Sequence, residues 1–101
     1  VELFEEYTEE FEFSKTRIVV KLFAIGAHFV SRSEARRLLQ GLDRFRHVVV
    51  DFKGIDIVGQ GFVDEIFRVW AGTHVAIRVD AIQMAPPVAF MVNRARRSRI
   101  D

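Results

Sequence analysis

The fold of this chain is decided by residues 47–70, which read HVVVDFKGIDIVGQGFVDEIFRVW. The three valines from Val48 to Val50 form an uninterrupted β-branched run, which is typical of a strand buried on both faces. The segment after them contains three glycines, and after Gln60 the apolar residues recur with the period of a helix. This pattern predicts a strand, a tight loop and a helix, which together form half of a βαβ unit. We expect any site where the strand ends and the helix begins, because open α/β sheets form their crevice there.

The helix of this unit is predicted over residues 61–70. Its apolar side chains fall on one face, and its charged side chains lie off that face. The apolar face consists of Phe62, Val63, Ile66, Phe67 and Trp70, whereas Asp64, Glu65 and Arg68 lie off it. The acidic pair is therefore expected to be available to a partner.

Composition limits the classes of protein to which the chain can belong. Its 101 residues are sufficient for a single domain over residues 1–101, and half of them are hydrophobic, which indicates a folded core. The net charge of +1 makes nucleic acid an unexpected direct partner, and no apolar run predicts a membrane span. The absence of cysteine is typical of a cytoplasmic location. The acidic segment 1–13 is interpreted as following a missing upstream domain.

The flanking segments predict the remaining elements of a small mixed sheet with three main helices. Strands are expected over residues 17–23 and 75–80, and segment 1–13 is also expected to be extended. Ser31 and Glu34 have the spacing of a capping box at the start of a helix over residues 31–42. Gly72 and Thr73 are expected to end the central helix, and Pro86 and Pro87 to begin the last one, over residues 87–97.

The loop Gly59-Gln60-Gly61 leads into a helix and resembles an anion cradle, because free amides and the helix dipole favour negative charge. Neither nucleotide-binding fingerprint is present. Asp64 and Glu65 in the first turn would repel a phosphate, and glycines also simply permit a tight turn. Both readings of this loop remain open at the level of the sequence.

Catalytic and metal chemistry have little support. Asp51 and Asp56 could join Asp64 and Glu65 in an acidic cluster only if the fold brought them together. The three histidines, His28, His47 and His74, lie in different connections and lack the spacing of metal ligands. No nucleophile motif is present, so we predict neither an enzyme nor a cofactor. The arginine-rich segment RARRSR, residues 94–99, leaves nucleic-acid contact as a weaker hypothesis.

Three stretches, SRSEARRLL, the run from VVVDFKG to EIFRVW, and the proline-led helix, resemble the STAS-like family of bacterial domains of unknown function. The resemblance covers about residues 14–97. That family is related to sulfate-transporter and anti-sigma-factor-antagonist domains. The resemblance implies a STAS-type α/β fold, with a sheet of about four strands and helices packed against it.

The resemblance also implies a regulatory role. Members of the family are often joined to a DNA-binding winged helix or to a histidine-kinase-like ATPase domain. True antagonists carry a phosphorylated serine at the strand–loop–helix junction, which corresponds here to Gly59-Gln60-Gly61-Phe62. Because this junction has no hydroxyl group, we expect docking without the phosphorylation switch.

The leading hypothesis is therefore a non-catalytic regulatory interaction domain of a signalling or transcription-control protein. Its predicted docking residues are Gly59, Gln60, Gly61, Asp64 and Glu65, and its predicted partner is a protein or a sister domain, with a homodimer as another assembly. The alternative is a sensor that binds a small anion or nucleotide with the Gly59-Gln60-Gly61 loop.

Overall fold

The structure, a computed structural model, describes residues 4–6, 17–26 and 29–99. Three parallel strands form the body of its sheet: β2 (Arg17–Lys21), β3 (His47–Asp51) and β4 (Arg78–Ile82). A three-residue segment, β1 (Phe4–Glu6), pairs antiparallel with β2, so that the order across the sheet is β1-β2-β3-β4. The predicted mixed α/β architecture is confirmed. The valine run forms β3, which has β2 on one side and β4 on the other.

Within the described residues, four helices connect or follow the strands. They are α1 (Leu22–Ile25), α2 (Arg32–Leu39), α3 (residues 60–73) and α4 (Pro86–Arg99). The helix α3 is α-helical over Gln60–Asp64, π-helical over Glu65–Trp70 and α-helical again over Ala71–Thr73. The three longer helices are the three that the sequence predicts.

The capping box of α2 is present as predicted. The Ser31 hydroxyl accepts a hydrogen bond from the Glu34 amide at 3.2 Å, and the Glu34 carboxylate accepts one from the Ser31 amide at 2.9 Å. These two bonds satisfy amide donors that have no partner within the helix. The predicted helix over residues 31–42 is shorter in the structure, because a 3₁₀ turn at Leu42–Arg44 replaces its end.

Several boundaries differ from the sequence-based prediction because of local turns. The strand predicted over residues 17–23 ends at Lys21, because the Gly26 amide donates to the Leu22 carbonyl and closes a helical turn. The strand predicted from residue 75 begins at Arg78, after a turn in which the Ile77 amide bonds the His74 carbonyl. The break predicted at residues 72–73 comes later, because α3 includes both of them. In segment 1–13, predicted to be extended, residues 4–6 form β1, and the others lie outside the described residues.

The core lies between one face of the sheet and the helices. Alternate residues of the strands, Ile18, Val20, Val48 and Val50, are fully buried in it. The helix α3 contacts both α2 and α4, so that it is flanked on two sides. Six consecutive residues of α3, 62–67, are consequently buried. A helix that is buried on most of its circumference has little surface left on which a polar side chain can face water.

Candidate protein-interaction site

The loop of residues 52–59 connects β3 to α3 at the carboxyl ends of the parallel strands. The Phe52 side chain is fully buried, and its amide donates to the Ile82 carbonyl at 3.0 Å. A turn follows, in which the Ile55 amide donates to the Phe52 carbonyl and Gly54 has a φ of 81°. This left-handed conformation favours glycine. The loop therefore lies at the edge of the sheet where the sequence predicts a site.

Gly59 allows two backbone segments to approach each other. Its amide donates to the Phe29 carbonyl at 2.7 Å, and the Phe62 amide donates to the Val30 carbonyl at 3.1 Å. A Cβ atom on Gly59 would lie 2.2 Å from the Val30 carbonyl oxygen, closer than any real contact. Two amides at the start of α3 are thus bonded to carbonyl groups of the chain. Because these two amides already have acceptors, they are not available to an anion, and the hypothesis that Gly59-Gln60-Gly61 binds one is weaker. Gln60 itself is exposed.

Asp64 and Glu65 do not form the exposed acidic pair that was predicted. Their residues are 8% and 7% exposed, because α2 packs against their side of α3. Asp64 accepts two hydrogen bonds from Arg68, at 2.6 and 2.7 Å, and forms an ion pair with Arg32 at 2.7 Å. Glu65 lies 3.4 Å from Arg36 and 3.6 Å from Arg32. We call these five residues the acid–arginine cluster.

The electrostatics of this cluster favour the charged form of Asp64. The hydrogen bonds from Arg68, and then those from Arg32, lower the pKa of Asp64, although burial acts in the opposite direction. The carboxylate is therefore ionised and neutralised by arginines of the same chain. Asp64 and Glu65 join α2 to α3, and they present little negative charge to a partner.

Exposed apolar side chains surround the same loop. Phe23 is 71% exposed, Val30 59% and Ile57 84%. The Phe23 ring lies against Gly54, Val30 is held by the start of α3, and Ile57 belongs to the loop itself. Together with the exposed Gln60, we call these side chains the loop patch. Exposed apolar surface around one loop is typical of interaction sites.

Sequence reasoning missed the three apolar members of the loop patch. Phe23 is the last residue of the strand predicted over residues 17–23, and Val30 directly precedes the predicted helix over residues 31–42, so that the pattern gave neither of them a role in binding. Ile57 offered a signal: it is an isoleucine in the glycine-rich stretch GIDIVG, which has neither helical nor strand periodicity. An aliphatic side chain there has no regular element that would bury it.

Comparison with protein-family models shows that the model of the STAS-like domain of unknown function matches residues 34–89. This range is more than half of the chain and includes most of α2, all of β3, α3 and β4, and the start of α4. The chain belongs to this family. The resemblance seen in the sequence is thereby confirmed, over a shorter range than the residues 14–97 first proposed. No curated protein and no solved structure gives a match.

The other candidate residues of this STAS-like domain have separate partners. Asp51 is buried and accepts hydrogen bonds from the Lys53 amide and the Gln83 side chain, whereas Asp56 is exposed. The hydrogen-bond partners of Asp51 therefore differ from those of the acid–arginine cluster. In the described part of the chain, no group of three or more histidine and acidic residues is positioned to hold a metal.

Two of the three histidines have defined surroundings in the STAS-like domain. His47, predicted to lie in a connection, is the first residue of β3, and its Nε2 atom lies 2.7 Å from Asp80. Burial opposes ionisation of Asp80, but the His47 hydrogen bond and the charge of Arg78 outweigh it and lower the pKa of Asp80. The His74 ring stacks on Trp70. His28 lies outside the described residues.

The arginines of α4 do not form one uniform basic surface in the STAS-like domain. Arg96 donates to the Val79 carbonyl at 2.7 Å and lies over the Phe67 ring, so that it joins α4 to the sheet and to α3. Arg94 and Arg97 are exposed. None of the described helices is both long and apolar enough to cross a membrane.

Proposed function

We propose that this STAS-like domain is a non-catalytic regulatory module that binds a partner protein or a sister domain through its loop patch. The observation that carries the proposal is the group of exposed apolar side chains Phe23, Val30 and Ile57 around one loop. Burying such side chains against a partner removes apolar surface from water, which is the dominant favourable term in protein association. In this proposal the apolar loop patch is the docking surface, in place of the acidic pair Asp64 and Glu65.

The proposed partner has an apolar patch at the centre of its own interface. The loop patch has no charged side chain among its members. The centres of protein interfaces are likewise depleted in charged residues, whereas their rims are polar. Exposed Lys53 and Asp56 lie beside it in the same loop and would belong to a polar rim. A DNA-binding winged helix or a histidine-kinase-like ATPase domain, as family resemblance implies, would be such a partner in signalling or transcription control.

The lack of a hydroxyl group at the α3 junction supports docking that is not controlled by phosphorylation at that point. The junction consists of Gly59, Gln60, Gly61 and Phe62, and Gly59 is held against Val30. A phosphate there would require both a different side chain and more space.

Photocrosslinking tests the proposal with a control that the chain itself provides. Ile57 is 84% exposed in the loop patch, and Val75 is 86% exposed in the turn before β4. When a photoreactive amino acid replaces Ile57 in cells, illumination should crosslink the domain to a defined protein. The same amino acid in place of Val75 should not give this product. Equal yields of the same products from both positions would contradict the proposal.

The identified partner then allows an affinity measurement. An apolar interface anchor that is replaced by a charged side chain should weaken binding about tenfold or more. We therefore expect Ile57→Asp to raise the Kd by at least that factor, while Val75→Asp leaves the Kd unchanged. A partner that binds both variants equally well would exclude the loop patch as the docking surface.

A further inference from the structure

A cavity of about 400 Å³ lies between the end of α2 and the π-helical part of α3. Leu39, the last residue of α2, lines one side, and Glu65 and Trp70 of α3 line the other. Glu65 and Trp70 are also the first and last residues of the π-helical segment. Such segments are rare and occur frequently at functional sites. The volume is within the range of small-molecule pockets, so that size and backbone together make this cavity a candidate binding site.

Glu65 brings to the cavity a buried carboxylate with unused hydrogen-bonding capacity. The residue is 7% exposed, yet the hydrogen bond that Arg36 donates to its Oε1 atom is 3.4 Å long. Arg32 lies 3.6 Å from the same oxygen, and no hydrogen bond from the described residues reaches Oε2. Asp64, in contrast, accepts bonds of 2.6 and 2.7 Å from Arg68. Buried polar atoms normally have a hydrogen-bond partner, so that a donor on a ligand would complete the bonding of Glu65.

Trp70 and His74 form an aromatic wall of the cavity. Their rings are stacked, with centroids 4.2 Å apart and an angle of 20° between the ring planes. The His74 Nδ1 atom lies 2.8 Å from the Trp70 carbonyl oxygen, which can only accept, so that Nδ1 carries the proton. In the neutral ring the Nε2 atom is then a further acceptor. Aromatic faces attract ammonium and guanidinium groups.

The charged groups of the cavity favour a cation. Among the described residues that line it, three are charged: Arg36, Asp43 and Glu65. Arg36 pairs with Glu65. This pairing leaves the exposed carboxylate of Asp43, which forms no ion pair or hydrogen bond with the described residues. The lining therefore combines an unpaired negative charge with an aromatic wall, an arrangement that recognises organic cations.

We propose that this cavity binds a small organic cation, whose ammonium or guanidinium group lies against Trp70 and donates a hydrogen bond to Glu65. At 7% exposure Glu65 is closed to a protein surface, but it lines the cavity and is within reach of a small molecule. Arg36 already neutralises Glu65, so that Asp43 supplies the charge that balances the ligand. The cavity does not depend on the docking function of the loop patch, which Ile57 tests separately.

The chain contains a single tryptophan, so that Trp70 is a specific probe of this cavity. In a nuclear magnetic resonance titration, we expect benzylammonium or benzylguanidinium to shift its indole N–H resonance saturably, together with the backbone amides of Gly41 and His74. Benzyl alcohol lacks the charge and benzyltrimethylammonium lacks the N–H donors, so that each should bind about tenfold more weakly or worse. Saturation by either of the first two probes supports the proposal, and the tighter one identifies the cationic group.

Asp43→Asn is the deciding variant, because it changes an exposed side chain that has no partner among the described residues. It should weaken binding of the better cation about fivefold or more, while Asp56→Asn, which also removes an exposed acid, should leave binding unchanged. Glu65→Gln should weaken binding as well. Its distant resonances will show whether it folds, and if it does not, Asp43→Asn alone decides. The proposal is overturned if neither cation saturates the shift, if either control ligand binds as tightly, or if Asp43→Asn or a folded Glu65→Gln binds like the parent protein.

Discussion

Two regions beside the start of α3 differ in a way that their sequences conceal. The acid–arginine cluster is charged but closed: Asp64 and Glu65 are buried and paired with arginines of α2 and α3. The loop patch is apolar but open: Phe23, Val30 and Ile57 are each more than half exposed. The charged region therefore contributes to the fold, and the apolar region is available for binding. Residue type alone would assign these two roles in reverse.

The position of α3 explains the difference. This helix has the sheet beneath it and a helix on each side, so that acids outside its apolar stripe meet α2 instead of water. Buried ionised carboxylates require paired charges and hydrogen bonds. Arg32 and Arg36 supply them, whereas Phe23, Val30 and Ile57 near the strand ends remain exposed within the part of the chain that the structure describes. The following predictions test this division, beginning with the contact that holds Val30 against the start of α3.

Gly59→Ala should give the largest loss of stability. The added Cβ would lie 2.2 Å from the Val30 carbonyl oxygen. Backbone hydrogen bonds hold both Gly59 and Val30 in place, so that neither residue can easily move away. We expect a decrease of about 3 kcal/mol in the free energy of unfolding, measured with urea. Gly61→Ala is the control, because its Cβ would be 3.4 Å from Arg32 and the helix favours alanine. Equal losses in both variants would show that the Val30 contact is not the constraint.

Asp64→Asn should have the next largest effect, about 2 kcal/mol at neutral pH, because hydrogen bonds to charged groups stabilise more than neutral ones. Asp64 has a folded pKa below its unfolded value of 3.8. Its stabilisation is therefore complete above the unfolded value, and it is lost as the pH falls through the folded value. The difference between parent and variant should shrink in urea titrations below about pH 4. Asp56→Asn, at an exposed loop position, serves as the control, and a gap that stays constant with pH would refute the assignment.

Ser31→Ala should cost about 1 kcal/mol, because it removes the hydroxyl that accepts from the Glu34 amide. The exposed Ser33 provides a matched control, since its hydroxyl bonds the exposed side of the Ser31 hydroxyl and accepts from no amide of α2 among the described residues. Ser33→Ala should change the free energy of unfolding by less than about 0.5 kcal/mol. Thermal unfolding followed by circular dichroism compares the two variants, and similar midpoints would remove the capping box as a source of stability.

The sequence predicted best those features that depend on neighbouring residues. The capping box requires only Ser31 and Glu34, the strand β3 only its valines, and the start of α4 only its prolines. The predicted strand ends were wrong by two or three residues, because the turns at Gly26 and Ile77 compete with strand pairing. Local patterns identify the presence of an element more reliably than its last residue.

The candidate site depended on contacts between distant segments, and there the sequence was less informative. The helical pattern correctly places Asp64 and Glu65 off the apolar stripe of α3. It does not show that α2 packs against that side of the helix. Their arginine partners in α2 are about thirty residues earlier, and only the spacing of Arg32 and Arg36 one turn apart hinted at a matching pair. The hydrogen bond from the Gln83 side-chain amide to the Asp51 carboxylate likewise joins residues that no short motif connects.

Ile57→Ala should give the smallest effect on folding, and this small effect matters for the comparison. The side chain is 84% exposed, so that its removal should change the free energy of unfolding by less than about 0.5 kcal/mol. Ile66→Ala makes the same chemical change in α3 at a fully buried position and should cost about 3 kcal/mol. Urea denaturation of both variants compares them directly, and a large loss at Ile57 would mean that this side chain packs as core. If the two isoleucines separate as expected, Ile57 has no part in folding, and its side chain remains available to a partner.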